Sequence, residues 1–362
     1  MIKFNNFPAE YQAIKSDIDA DFGRVLSSGR YILGDELSKF EKSFAQYLGA
    51  QYCVGVASGT DALTISLMAL DIGEGDEVIT TSLTAYPSIV GILNAGAKPI
   101  VVDINEEDAL INANNIEVKI NKNTKAIMPV HLYGQCCNMG KILEIAFKNG
   151  LHVIEDCAQS TGSKYNGQAA GTMGVCGAFS FYPTKNLGCY GDGGAIITNN
   201  EKIYHKARLL RNYGQGEKYQ HGLNGINSRL DEIQAAVLTT KLQFLDKWNQ
   251  RRREIAKRYS EALESVKLIE SNSSNYHTYH LFVVRSKERE ALIKYLADQG
   301  VETSIHYPIP VNKQLAYPDA MTEDCVTCNI ISKEIFSLPV NPWLKDNEVD
   351  SIIDIINRFP NE

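Results

Sequence analysis

Short apolar runs recur along the first two-thirds of the chain: YCVGV from Tyr52, EVIT from Glu77, PIVVD from Pro99, AIMPV from Ala126, HVIED from His152, AFSF from Ala178 and AIIT from Ala195. Each is too short for a helix and is nearly continuous in its apolar character. That pattern predicts strands buried on both faces. Helical patterns intervene at Asp61–Leu70, Gly140–Lys148 and Glu201–Leu210. Strands alternating with helices predict an α/β fold with a largely parallel sheet covered on both sides. GDGG ahead of AIITNN reads as a tight turn and hairpin, so one strand is expected to run antiparallel.

The pattern changes after Ser228. Arg229 to about Glu264 reads as one long helical stretch rich in Leu, Ala, Gln, Lys and Arg. Beyond it come a strand in HLFVVRS from His280, a helix over Glu288–Gln299, a proline-rich loop HYPIPVN from His306 and a final helix over Asn347–Arg358. The expected organisation is a large domain over 1–245 and a smaller α/β domain over 246–362, joined by that helix. A length of 362 residues agrees with two domains. No internal repeat or low-complexity segment interrupts this plan.

Composition narrows the classes. The content is 44% hydrophobic and 22% charged, as in ordinary globular proteins. A net charge of −7 without a basic block argues against nucleic acid binding. MIKFNNFPAE has no apolar h-region, and no segment approaches the ~18 apolar residues of a membrane span. The eight cysteines are scattered, and Cys136 and Cys137 are adjacent, which suits reduced thiols in a cytoplasmic protein. Cys325 and Cys328 form a lone CxxC with no second pair, which fits a loop or helix turn better than a metal site.

The chemistry concentrates in FSFYPTKNLGCYGDGG, Phe179 to Gly194, where Lys185 stands between an aromatic strand and a glycine-rich turn. A desolvated lysine loses its proton more readily and can form a Schiff base with a carbonyl. Asp156 closes the apolar run LHVIED, 29 residues upstream (185 − 156). A buried lysine and a strand-end carboxylate are the pair a pyridoxal phosphate enzyme needs: one for the aldehyde, one for the protonated pyridine nitrogen. Ser58-Gly59-Thr60, between a strand and a helix, offers backbone N–H groups to a phosphate, or else a plain helix cap. Ser180 either donates to the same phosphate or is a small strand residue, and Gln159 either meets the cofactor's 3-hydroxyl or is an ordinary loop glutamine. His131 either points into the crevice at the strand ends or is a core histidine satisfied by a carbonyl. Tyr86 either stacks near the cofactor ring or is a core tyrosine. Asn227 and Ser228 read equally as an N-cap for the long helix. His306 and Tyr307, on a proline-punctuated loop, either contact a polar substrate or anchor the loop in the interior.

These blocks in this order closely resemble the DegT/DnrJ/EryC1/StrS family of sugar aminotransferases. The match runs from GRYILGDELSKFEKSFAQYLG through SGTDAL, IEDCAQSTGSKYNG, FSFYPTKNLGCYGDGG and GINSRLDEIQAA to SIHYPIP. The resemblance implies the fold type I of pyridoxal phosphate enzymes, with a mostly parallel seven-stranded sheet, and a homodimer with active sites at the subunit interface. It gives Lys185 the Schiff base, Asp156 the pyridine nitrogen and Gln159 the 3-hydroxyl. Gly59, Thr60 and Ser180 take the phosphate, with Asn227 reaching it from the neighbouring subunit. Tyr31, Tyr219, His306 and Tyr307 fall where the nucleotide sugar is expected. The implied reaction is ping-pong transamination from L-glutamate to a nucleotide-linked keto sugar. The wording is closest to members that act on dTDP-3-keto-6-deoxyhexoses, with 4-keto sugars as the alternative. A dehydratase on this fold would carry histidine in place of Lys185, and a non-enzymatic regulator is the further alternative. Two departures stand out. Ala85 occupies the place where members often carry an aromatic, and Asn312 ends the loop where they often have histidine.

Overall fold

The seven apolar runs become one sheet in the computed structural model, which describes residues 1–318 and 324–360. The strands are β1 (Tyr52–Val56), β2 (Glu77–Thr81), β3 (Lys98–Val102), β4 (Thr124–Ile127), β5 (His152–Asp156), β6 (Cys176–Ser180) and β7 (Gly194–Thr198). Their order is β1-β7-β6-β5-β4-β2-β3. Pairing is parallel from β3 across to β6, whereas β7 runs antiparallel to both β6 and β1. The antiparallel strand is therefore present, but no tight turn leads into it. The connection from β6 to β7 is the whole segment 181–193, and it carries Lys185.

Alternation along the strands divides the core into two layers. Val54, Val56 and Ile196 face a layer built with Leu63, Ile65 and Leu67 of the helix Gly59–Ala69. Cys53, Ala195, Ile197 and Phe179 face the other, where Phe40 and Phe44 pack edge-on against Phe181. In chain order the helices are α1 (Phe7–Ala13), α2 (Lys15–Ser28), α3 (Asp35–Leu48), α4 (Gly59–Ala69), α5 (Pro87–Asn94), α6 (Met139–Asn149) and α7 (Glu201–Leu210).

The long helical stretch divides into α8 (Glu232–Leu242) and α9 (Leu245–Ala262). The Gln243 and Phe244 N–H groups donate to Thr240 and Lys241 carbonyls, tightening the last turn. Phe244 then stacks on Trp248 with ring centroids 5.7 Å apart. The two helices need different surroundings. α8 is buried through Ala235–Thr239, whereas α9 keeps a long polar face. Neither Asn227 nor Ser228 caps α8, because the helix starts later, with Asp231 at the N-cap position. Glu232 instead caps α3: its carboxylate accepts from the N–H groups of Gly34 (2.7 Å), Glu36 (2.9 Å) and Leu37 (3.1 Å).

A second, antiparallel sheet follows, with β8 (Lys267–Leu268), β9 (Phe282–Arg285) and β10 (Ile335–Leu338) in the order β8-β9-β10. Its core joins α9 to α10 (Arg289–Asp298) and α12 (Asp346–Asn357), which carry Leu292, Leu296, Val349 and Ile352. Ile2 from the start of the chain also packs there. α11 (Val326–Glu334) turns the other way: Cys328 and Ile331 join the core around Ile79 and Ile127 of the main sheet. Among the described residues, no helix is long and apolar enough to cross a membrane.

Candidate active site

At the carboxyl ends of β5 and β6 lies a cavity of about 330 Å³, where open α/β sheets bind ligands. Ser58, Gly59, Thr60, Asp156, Gln159, Ser180 and Lys185 all line it. The loop that carries Lys185 leaves and returns at one point. Phe181 N–H donates to Gly193 O and Cys189 N–H to Phe181 O, both at 2.8 Å. Gly188 permits this fold-back, since a Cβ there would lie 2.5 Å from the Pro183 carbonyl oxygen. The neighbouring Asn186 is fixed from the C-terminal part of the chain. Its Nδ2 donates to Asn249 Oδ1 (2.7 Å), and its Oδ1 accepts from His280 Nδ1 (3.1 Å). Lys185 is thus held by both halves of the molecule.

Burial governs the charges in the cavity. Desolvation lowers Lys185 to about 8, opposed by the charge of Asp156. Desolvation raises Asp156, opposed by Ser88 and by the Ala158 N–H, and more weakly by Lys185 and His131. Ser88 Oγ donates to Asp156 Oδ2 at 2.7 Å, and Ala158 N–H to Oδ1 at 3.1 Å. The far wall is the start of α4, where Ser58 accepts from Asp61 N–H (3.1 Å). The helical register leaves the Gly59 and Thr60 N–H groups without an intrahelical acceptor. A Cβ on Gly59 would lie 2.6 Å from Ser180 Cβ, so the close approach of helix and strand requires glycine there. A helix N-terminus flanked by two hydroxyls, a lysine poised to lose its proton and a buried carboxylate fit the phosphate, aldehyde and ring nitrogen of pyridoxal phosphate. Gln159 is locked as well. Its Oε1 accepts from Tyr133 N–H (2.8 Å) and its Nε2 donates to Tyr307 Oη (2.9 Å), leaving a second N–H to offer.

The remaining candidates lie elsewhere in the single chain. The lining passes through Ala85 and Pro87 and leaves out Tyr86, which packs against the core around Ile79. His131 is a core residue. Its Nδ1 accepts from Cys137 N–H, so Nε2–H donates to Glu155 at 2.9 Å. His131, Glu155 and Cys157 lie within 4.8 Å of one another, as metal ligands do. Glu155, however, already accepts three backbone N–H groups, from Gly171, Met173 and Gly174. His306 donates or accepts through Nδ1 with Ser337 Oγ (2.8 Å) and is lowered to about 4 by burial and then by the charge of Lys185. Asn312 is buried in the turn Val311–Lys313. Tyr31 and Tyr219 are 48% and 82% exposed, and Asn227 is exposed too, so none of the three enters this chain's own cavity. Thr84, Ser88, Tyr182 and Asp192, outside the site residues expected from the sequence, also line the cavity.

Sheet order and site together define a pyridoxal phosphate-dependent transferase of fold type I, and the chain belongs to the DegT/DnrJ/EryC1/StrS aminotransferase family, whose model matches residues 12–357. It is 48% identical, over 99% of both chains, to dTDP-3-amino-3,6-dideoxy-alpha-D-galactopyranose transaminase of Aneurinibacillus thermoaerophilus. It is 40% identical to the pleiotropic regulatory protein of Geobacillus stearothermophilus, over 97% of this chain and 96% of that one. Among solved structures, S. venezuelae DesV in complex with a ketimine intermediate superimposes with a TM-score of 0.95 at 40% identity, covering 99% of this chain and 98% of that one.

Proposed function

We propose that the chain aminates a nucleotide-linked keto-deoxyhexose, converting a dTDP-3-keto-6-deoxyhexose to the 3-amino sugar with L-glutamate as donor. It would act as a cytoplasmic homodimer with shared active sites. The observation that carries this reading is Lys185, lowered to about 8 in a cavity it shares with Asp156 and the start of α4. When bound, pyridoxal phosphate supplies an aldehyde and a ring that accepts the electron pair of a substrate carbon. Lys185, part neutral near physiological pH, would hold the aldehyde and would serve as the base that moves a proton at the substrate carbon. Asp156 would keep the ring nitrogen protonated, Gln159 would hold the 3-hydroxyl, and Gly59, Thr60 and Ser180 would hold the phosphate.

The A. thermoaerophilus relative supports a ketone at C3. Exposure of Tyr31, Tyr219 and Asn227 supports their serving the neighbouring subunit, with His306 and Tyr307 meeting the sugar from this one. Buried thiols at Cys53, Cys136, Cys137, Cys157, Cys176 and Cys189 support a reducing compartment. The helix break at Gln243–Phe244 supports a domain boundary between 245 and 246. The regulatory name of the G. stearothermophilus relative favours a second reading, without turnover. Glutamate and a panel of dTDP-linked 3-keto and 4-keto sugars separate these. The expected product is the 3-amino sugar. A 4-amino product would move the ketone, loss of water without nitrogen gain would mean a dehydratase, and cofactor binding without turnover would favour the regulator.

A further inference from the structure

The cavity lining contains a hydroxyl chain that ends on Asp156. Ser88 Oγ lies 2.7 Å from Asp156 Oδ2, and Thr84 Oγ1 lies 2.9 Å from Ser88 Oγ. All three side chains are buried. A hydroxyl has one proton to donate, and Ser88 gives its own to the carboxylate. Thr84 must therefore donate to Ser88, and the chain has one direction: Thr84 to Ser88 to Asp156. Both serine and threonine are set by local structure. Pro87 occupies the first helical position of α5, where its missing N–H costs nothing, and this places Ser88 on the first turn, four residues after Thr84.

We propose that Ser88, polarised by Thr84, is a positioning residue that keeps Asp156 in its ionised form against the cofactor's ring nitrogen. The inference rests on the reading of Asp156 given above. The physical argument is a competition. Burial favours the neutral carboxyl, and Ser88 offers the largest opposing stabilisation, ahead of the Ala158 N–H. Between a carboxylate and a pyridine nitrogen, one proton has two homes. Donation from Ser88 stabilises the carboxylate, so the proton stays on nitrogen. Without it the proton moves to Asp156 and the ring becomes a poorer electron acceptor. The other titratable groups facing Asp156 are Lys185 in the same cavity, His131 after β4, Tyr307 from the proline-rich loop and the adjacent Cys157. His131 is tied to Glu155 and Cys137. Burial raises Tyr307 to about 12 and Cys157 well above its ordinary value, whereas it lowers Lys185 to about 8.

The test uses holoenzyme loaded with pyridoxal phosphate carrying ¹⁵N in the ring, and reads ring protonation by nitrogen NMR across pH 6–9. Ser88→Ala should move the ring signal toward the unprotonated position and lower the pH at which the proton is lost. The expected displacement is about one to two pH units, the worth of a hydrogen bond to a charged group. Ser88→Thr, which keeps the hydroxyl, should restore the parent signal, a rescue that a purely structural role would not require. Ser88→Cys keeps the volume with a weak donor and should fall between; it also reads the chain if the alanine variant does not fold. Asp156→Asn is the control. If it loses the pyridinium signal while Ser88→Ala and Ser88→Cys keep it, the inference about Ser88 is overturned and the reading of Asp156 stands. If Asp156→Asn also keeps the signal, Asp156 does not hold the ring nitrogen and both fail.

Discussion

Lys185 and Asp156 share one cavity, and burial pushes each toward its neutral form while each partly restores the other's charge. The balance leaves Lys185 at about 8, against an ordinary value of 10.5. Only a neutral amine attacks an aldehyde, so capture of pyridoxal phosphate by the cofactor-free protein should speed up as pH rises through about 8 and level off above it. Stopped-flow absorbance checks this; a midpoint near the ordinary lysine value would mean that the cavity does not desolvate Lys185. Removing the opposing anion in Asp156→Asn should move that midpoint lower still. His306 has its Nδ1 committed to Ser337, which leaves Nε2 for a substrate. His306→Asn should raise the Michaelis constant for the sugar, at about 0.5–1.5 kcal/mol for one lost hydrogen bond. The glutamate half-reaction should stay nearly intact. Equal losses in both halves would place His306 with the cofactor or the fold. That Lys185, Asp156, Gly59, Thr60, Ser180 and Gln159 line one cavity was legible in the sequence because each sits inside a short motif at or just beyond a strand end. Ser88 was not, since its partner Asp156 is 68 residues away and nothing local marks the contact.

Elements differ in the same way. The seven strands were legible because burial on both faces leaves unbroken apolar runs; β2 and β7 are buried along their whole length. The break between α8 and α9 was not, because Gln243 and Phe244 are neither glycine nor proline and the change is one of surroundings. In the sequence Glu232 is one more polar residue of the long helical stretch, yet its carboxylate holds the first turn of α3 from nearly 200 residues away. That pairing fixes the GRYILG segment against the start of α8, where Glu232 N–H also donates to Tyr31 O at 3.1 Å. Glu232→Ala leaves three N–H groups without their acceptor in a largely buried site. It should cost about 1–3 kcal/mol in urea unfolding. A change within about 0.5 kcal/mol, typical of an inert surface substitution, would show that water replaces the carboxylate.

At the scale of the molecule, one chain assembles the cofactor cavity but leaves Tyr31, Tyr219 and Asn227 outside it and exposed. If a second copy uses them, two defective chains can repair each other. Asn227→Asp would set a negative charge against the phosphate held by the partner, and Lys185→Ala would disable its own site. Mixed subunits of the two should regain activity in one site per dimer, and no regain after proven exchange would confine Asn227 to its own subunit. All of this depends on Lys185 carrying the cofactor, and that is open to a single direct measurement. The protein loaded with pyridoxal phosphate is reduced with borohydride, digested and mapped by mass spectrometry. The account predicts one phosphopyridoxyl group, on the peptide containing Lys185, absent from Lys185→Ala even though that variant still binds the cofactor without a covalent bond. A label on any other lysine, or none on a protein that turns over, would contradict it.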